Sequence, residues 1–100
     1  MTVAAVENQP VGVIQAVEDF ISGLWVHPTC HRRGIGTQLL RAGEDELRKM
    51  GRTKVWLPCS CWNSVAPQFY RNRGYEEARM DVEVLPCGIE DKMIIFEKML

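Results

Sequence analysis

The sequence has no long hydrophobic run. Its apolar stretches are a few residues each, and a helix that crosses a bilayer needs about 20. Its first ten residues, MTVAAVENQP, lack the basic start and apolar stretch of a secretory leader. A cytoplasmic location with no membrane partner is therefore expected. Charge of one sign is also missing. Twelve Lys and Arg stand against thirteen Asp and Glu, a net charge of −1, so no overall field draws in nucleic acid or an anionic surface. Internal repeats, low-complexity tracts and linkers are absent as well. One small domain over residues 1–100 is expected, long enough for a single core.

Cysteine is present, but not in the usual metal-binding spacing. The four are Cys30, Cys59, Cys61 and Cys87. An even count in a secreted chain would suggest two disulfides. With no leader, free thiols in a reducing compartment are the expected state. A zinc site is the sharper alternative, with His27 and His31 close to Cys30. Cys59-x-Cys61 is one residue short of the usual zinc knuckle and has no second pair beside it, so no metal is expected.

What is there reads as alternating elements. Residues 2–6 and 11–16, the second V-G-V-I-Q-A, form a hairpin around a polar Glu7-Asn8-Gln9-Pro10 turn. Glu18-Asp19 makes the next turn, and Phe20–Val26 is a third strand that ends before Pro28. Over residues 34–50 the apolar positions Ile35, Leu39, Leu40, Ala42, Leu47 and Met50 recur mostly at helical spacing, and Gly51 stops the helix. Residues 54–57, K-V-W-L, read as a buried strand. Asn63 or Ser64 can cap a short helix running to Arg73, with Pro67 in its first turn and Gly74 closing it. Residues 75–85 and 92–100 are strands around a Pro86-Cys87-Gly88 loop. The class is α/β (α+β) with a mixed sheet, in the order β-β-β-α-β-α-β-β.

The segment Val26-His27-Pro28-Thr29-Cys30-His31-Arg32-Arg33-Gly34-Ile35-Gly36-Thr37 carries the most chemistry. A strand ends, a polar loop turns and a helix begins with two glycines. Glycine lets main-chain N–H groups converge where a Cβ would intrude. A helix start leaves N–H groups unpaired and carries partial positive charge. Together they suit a pyrophosphate, and Arg32 and Arg33 add charge at its rim. The loop has neither the third spaced glycine of a dinucleotide fold nor the Gly-Lys-Ser/Thr of a nucleotide-triphosphate loop. The plain alternative is that the glycines shape a turn and the arginines are a solvated face. A nucleic-acid surface on His31-Arg32-Arg33 ranks below both, being short and set in a negatively charged chain.

This segment resembles the acetyl-CoA motif of the GNAT superfamily of N-acetyltransferases, V-x-P-x-x-[Q/R]-x-x-G-x-G. It matches at Val26, Pro28, Gly34, Ile35 and Gly36, and departs at His31. A second block, from Asn63 through Ala66, Phe69, Tyr70 and Gly74 to Tyr75, resembles the family's N-x-x-A-x-x-F-Y-x-x-x-G-[F/Y]. The resemblance implies a mixed, mostly antiparallel sheet with two helices, without the family's usual first strand and following two helices. It further implies acetyl-CoA as co-substrate and no metal. The pantetheine arm would pair with the main chain at Leu24, Trp25 and Val26, where a strand N–H faces the thioester oxygen. His31, Arg32, Arg33, Gly34, Ile35, Gly36 and Thr37 would hold the pyrophosphate, and Asn63 would touch the arm.

Tyr70 falls at the family's general acid, and a phenol can protonate a departing thiolate. The alternative is that Phe69 and Tyr70 are only the core face of a short helix. The position where many relatives carry a basic glutamate is Pro58. Glu18 and Asp19 are near the other position relatives use, but read as turn residues. Trp25, Trp56 and Trp62 wall the acceptor side or belong to the core. The implied reaction is acetyl transfer from acetyl-CoA to a primary amine of a small molecule or a protein N-terminus. The alternative is a non-catalytic module that binds acetyl-CoA or CoA. The uncovered N-terminal edge implies a homodimer or a docked partner there.

Overall fold

A computed structural model describes residues 2–6, 8–30, 34–60 and 65–100. The expected site residues His31, Arg32, Arg33 and Asn63 lie outside them, as do Trp62 and the possible cap Ser64. The elements are β1 (Thr2–Val6), β2 (Gln9–Val17), β3 (Phe20–Val26), a 3-10 turn (Pro28–Cys30), α1 (Ile35–Lys49), β4 (Lys54–Ser60), α2 (Ala66–Arg71), β5 (Glu76–Val84) and β6 (Glu90–Met99). The six strands form a mostly antiparallel sheet in the order β1-β2-β3-β4-β6-β5. Strand and helix succession is the one expected, with the 3-10 turn added. The chain folds as two compact units, Met1–Val55 with Leu100, and Trp56–Met99.

In the first unit β1, β2 and β3 pair as antiparallel neighbours. Asn8 reverses the chain in a left-handed conformation, φ 65°, which asparagine tolerates. Pairing therefore resumes at once, Val6 with Gln9, and Gln9 and Pro10 belong to the strand rather than to the turn expected of them. Pro10 has no N–H for the ladder, and the register shifts between Ala4 and Ala5, opposite it. The second reversal is at Glu18-Asp19 as expected, with Glu18 at φ 56° and Val17 paired with Phe20.

Helix α1 lies on β2. Its apolar stripe buries Leu39, Leu40 and Leu47, and β2 answers with Val11 and Ile14. Two glycines set how close the helix comes. A Cβ on Gly12 of β2 would stand 2.8 Å from Leu39 Cδ1 and 3.0 Å from the Trp25 carbonyl oxygen. A Cβ on Gly43 of α1 would stand 2.8 Å from Ile14 Cδ1. The Thr2 hydroxyl donates to Glu46 Oε1 at 2.6 Å, tying β1 to the same helix. Gly51, at φ 81°, ends the helix by entering the left-handed region.

In the second unit β4 runs three residues beyond its expected end. Its burial alternates, with Val55, Leu57 and Cys59 buried and Trp56, Pro58 and Ser60 half-buried. Pro58 does not break it, because Cys59 continues the buried face. Helix α2 is shorter than expected. Val65, whose side chain has no atom that can cap, precedes it, Pro67 sits in its first turn, and Asn72 ends it. Gly74 at φ 90° then redirects the chain, and the Tyr75 amide donates back to the Tyr70 carbonyl at 3.1 Å. β5 and β6 form an antiparallel hairpin, closed by the Leu85 N–H donating to the Ile89 carbonyl at 2.9 Å. Among the described residues no helix is long and apolar enough to cross a membrane.

The two glycines between α1 and β2 differ in what they face. A side chain on Gly12 meets backbone, which cannot yield alone. One on Gly43 meets the end of Ile14, which can turn, and alanine gains about 0.5–1 kcal/mol over glycine within a helix. Gly12→Val should cost about 1–3 kcal/mol and Gly43→Ala clearly less, read as denaturation midpoints at constant slope.

Candidate functional site

The end of β3 and the start of α1 are built by local hydrogen bonds. His27 N–H donates to the Val11 carbonyl at 2.7 Å, and Cys30 N–H to the His27 carbonyl at 2.8 Å, closing the 3-10 turn. The His27 ring caps that turn. Its Nδ1 accepts the Thr29 backbone N–H at 3.2 Å and lies 2.8 Å from the Thr29 hydroxyl. A backbone N–H can only donate, so Nδ1 is the acceptor and a neutral ring carries its proton on Nε2. Trp25 stacks edge-on against the ring, centroids 5.8 Å apart. Sequence reasoning assigns no role to His27 or Thr29 in this turn. Their only signal is a polar side chain on either side of Pro28.

Helix α1 then opens from Gly34, whose φ of 77° is strained for any residue with a side chain. The Gln38 N–H donates to the Gly34 carbonyl at 3.0 Å, the first bond of the helix. Helix geometry leaves the N–H groups of the first turn, which starts at Ile35 and Gly36, without an intrahelical acceptor. Gly34 has no side chain to cap this start, and the first turn holds no acid. The positive end of the helix therefore faces no competing carboxylate within its own first turn. Leu24 and Val26 are half-buried on β3, and Trp25 is exposed. Leu24, Trp25, Val26, Gly34, Ile35, Gly36 and Thr37 thus lie in the first unit, along β3 and the first turn of α1.

Tyr70 is the titratable centre of the second unit. Its ring sits 5.2 Å from Phe69 and 5.8 Å from both Tyr75 and Phe96, centroid to centroid. Arg73 covers the other aromatic of the helix, its guanidinium carbon 3.8 Å from the Phe69 ring centre, while its Nη1 donates to the Phe69 carbonyl. Burial among these rings pushes the Tyr70 pKa from 10.0 up to about 12, and Cys59 adds to the rise. Tyr70, half-buried among these rings, thus keeps its proton at any physiological pH. In the sequence Cys59 stands out only as a possible metal ligand beside Cys61, and β4 is expected to stop at Leu57.

The possible bases fare differently. Glu18 is part of the β2–β3 turn, and Pro58 occupies the middle of β4. Cys30 and Cys59 are buried free thiols and Cys87 an exposed one. Among the described residues no group of three His, Cys, Asp or Glu side chains converges as a metal site would require.

The sequence profile of the Acetyltransferase (GNAT) family matches residues 1–75. The [ribosomal protein bS18]-alanine N-acetyltransferase of Escherichia coli K12 is 35% identical over 72 residues, which cover 70% of this chain and 49% of that protein. The chain thus spans about half the length of the curated relatives it matches. The GCN5-related N-acetyltransferase from Rhodopseudomonas palustris superposes with a TM-score of 0.88 at 26% identity, covering 98% of this chain and 59% of that one. A GNAT family acetyltransferase from Elizabethkingia anophelis, solved with acetyl-CoA bound, superposes with a TM-score of 0.77 over 98% of this chain and 74% of its own. At 17% identity it speaks for the fold alone. With the family profile covering three quarters of its length and its strands and helices following the family order, the chain belongs to the GNAT acetyltransferase family.

Proposed function

We propose that residues 1–100 act as one acetyl-CoA-binding domain in the cytoplasm, and that the protein transfers the acetyl group from acetyl-CoA to a primary amine. The observation that carries the reading is the opening of α1. A left-handed Gly34 precedes a first turn without acidic residues, directly after β3. That is the chemistry of a pyrophosphate cradle, and the family match runs through it. Leu24, Trp25 and Val26 receive the pantetheine arm, and Arg32, Arg33 and His31 supply charge and a hydrogen bond to the phosphates. Asn63 contacts the arm.

Tyr70 serves as general acid, protonating the departing thiolate. At about 12 its pKa stands above that of an ordinary thiol, near 8.5. Apolar surroundings raise a thiol that leaves beside it in the same direction, which narrows the gap. The acceptor is an α-amino group. The E. coli relative is named for an alanine of a ribosomal protein, and an α-amine with a pKa near 8 needs less help than a lysine near 10.4. Pro58, where relatives carry a glutamate, supports a second reading, a module that binds acetyl-CoA without turnover. Release of free CoA thiol in the presence of an alanine-led peptide separates the two.

The protein also forms a homodimer, or docks a partner, through β1. That strand heads the sheet order, and Val3 on it is half exposed. An open strand edge is usually covered in native proteins.

Three outcomes are expected. Acetyl-CoA at about a hundred times its dissociation constant adds roughly 2.7 kcal/mol of stability, seen as a higher melting temperature, and Gly36→Glu removes the rise. No rise at millimolar acetyl-CoA rejects the cradle. Tyr70→Phe keeps the acetyl-CoA shift but lowers kcat about 10²–10⁴-fold. Folding raises this phenol's pKa, so its contribution to stability is complete below pH 10 and lost as the pH climbs towards about 12. The phenylalanine variant should lack that loss in alkaline melts. Light scattering with parallel assays on dilution should show a dimer whose activity falls as it dissociates. A monomer at high micromolar concentration with undiminished activity removes the dimer.

A further inference from the structure

The corner where β3 ends and α1 begins holds one contact that the proposed binding of acetyl-CoA leaves unused. The main chain of His27 is bonded on both sides. Its N–H donates to the Val11 carbonyl at 2.7 Å, and its carbonyl accepts the Cys30 N–H at 2.8 Å. Gly12 follows Val11 on β2. A Cβ there would stand 3.0 Å from the Trp25 carbonyl oxygen and 3.5 Å from Ile35 Cγ2. The end of β3 and the first residue of α1 thus come together over the same stretch of β2. The side chain of His27 secures this corner. Its Nδ1 accepts the Thr29 N–H at 3.2 Å and lies 2.8 Å from the Thr29 hydroxyl, while Trp25 packs edge-on against the ring. Asparagine closes turns by the same bond, from a side-chain acceptor to the N–H two residues on. Cys30, which ends the turn, is buried.

From this geometry we infer that His27 is a positioning residue for acetyl-CoA, its ring holding the end of β3 at a fixed spacing from the first turn of α1. The assignment rests on the acetyl-CoA reading given above, with the pantetheine arm on Leu24, Trp25 and Val26 and the pyrophosphate at the helix start. One ligand then spans two elements, and its affinity depends on both standing at the separation its own length sets. Opening the turn leaves each half of the site intact. It lowers the fraction of molecules in which the two halves match, and the apparent dissociation constant rises as the reciprocal of that fraction. His27 acts through the turn and not on the reacting atoms. His27 and Thr29 are both exposed, so water competes for their bond and its loss has a modest effect, about two- to tenfold in affinity.

The test is titration calorimetry of the whole chain with acetyl-CoA. His27→Phe keeps a ring against Trp25 but has no Nδ1, and its Kd should rise about two- to tenfold. His27→Asn gives up the ring but keeps an acceptor for the Thr29 N–H, and its Kd should return to the parental value. A residue that only stabilised the fold would lower the melting temperature of the free protein and leave Kd unchanged. In turnover the loss should appear in the acetyl-CoA KM rather than in kcat. Parental Kd in His27→Phe overturns the assignment alone, as does a Kd in His27→Asn as weak as that of His27→Phe. If His27→Phe does not fold, parental Kd in His27→Ala overturns it equally. A parent that shows no binding at millimolar acetyl-CoA refutes the acetyl-CoA reading and this one together.

Discussion

The close seating of α1 on β2 is the constraint on which the first unit depends. A helix packed on a sheet normally keeps its distance through the side chains between them. Here Gly12 removes one from the strand and Gly43 one from the helix, and Leu39 and Ile14 fill the two notches. The helix axis, and with it the place where the helix begins, follows from that packing. Interiors packed at crystal-like density transmit such placements with little slack. Gly34 and the first turn therefore sit at the end of β3 because of residues several turns away.

A different economy governs the second unit. Tyr70 is surrounded by Phe69, Tyr75 and Phe96, an arrangement any small core would favour. The same rings remove water from the phenol and hold its proton in place. Packing and the hold on the phenol proton are one feature seen at two levels. The short helix that carries Tyr70 has only six residues. Helices of that length are not stable alone, so α2 owes its form to its neighbours. Gly74 and the Tyr75 amide, which bonds back to the Tyr70 carbonyl, secure its far end.

β4 alternates between two faces. One face buries Val55, Leu57 and Cys59 while the other carries Trp56, Pro58 and Ser60. Alternation of period two lets one strand give one face to packing and leave the other half-buried. Proline at position 58 removes one backbone donor and one possible carboxylate, yet the buried face runs on to Cys59. The strand therefore runs on past Pro58 to Ser60, whose hydroxyl donates to the Asp91 carboxylate of β6.

Much of this was legible in the sequence, for a physical reason. Apolar periodicity and turn residues are local, so the order of elements, the Glu18-Asp19 reversal and the helix stop at Gly51 could all be read from neighbouring residues. The two motif blocks were legible too, because glycine at a helix start and an aromatic pair on a short helix leave marks in adjacent positions. Element ends were less so. Gln9 and Pro10 joined β2 because Asn8 took a left-handed conformation, and β4 passed Leu57 because Cys59 found a buried place. Meetings between distant residues could not be read at all. The notch of Gly12 against Leu39, the raised pKa of Tyr70, the locked tautomer of His27 and the bond from Ser60 to Asp91 depend on chain segments coming together in space. Composition and spacing along the chain determined which elements form. Tertiary packing alone decided which side chains share an environment, and it is that shared environment that turns a residue type into a chemical group with a role.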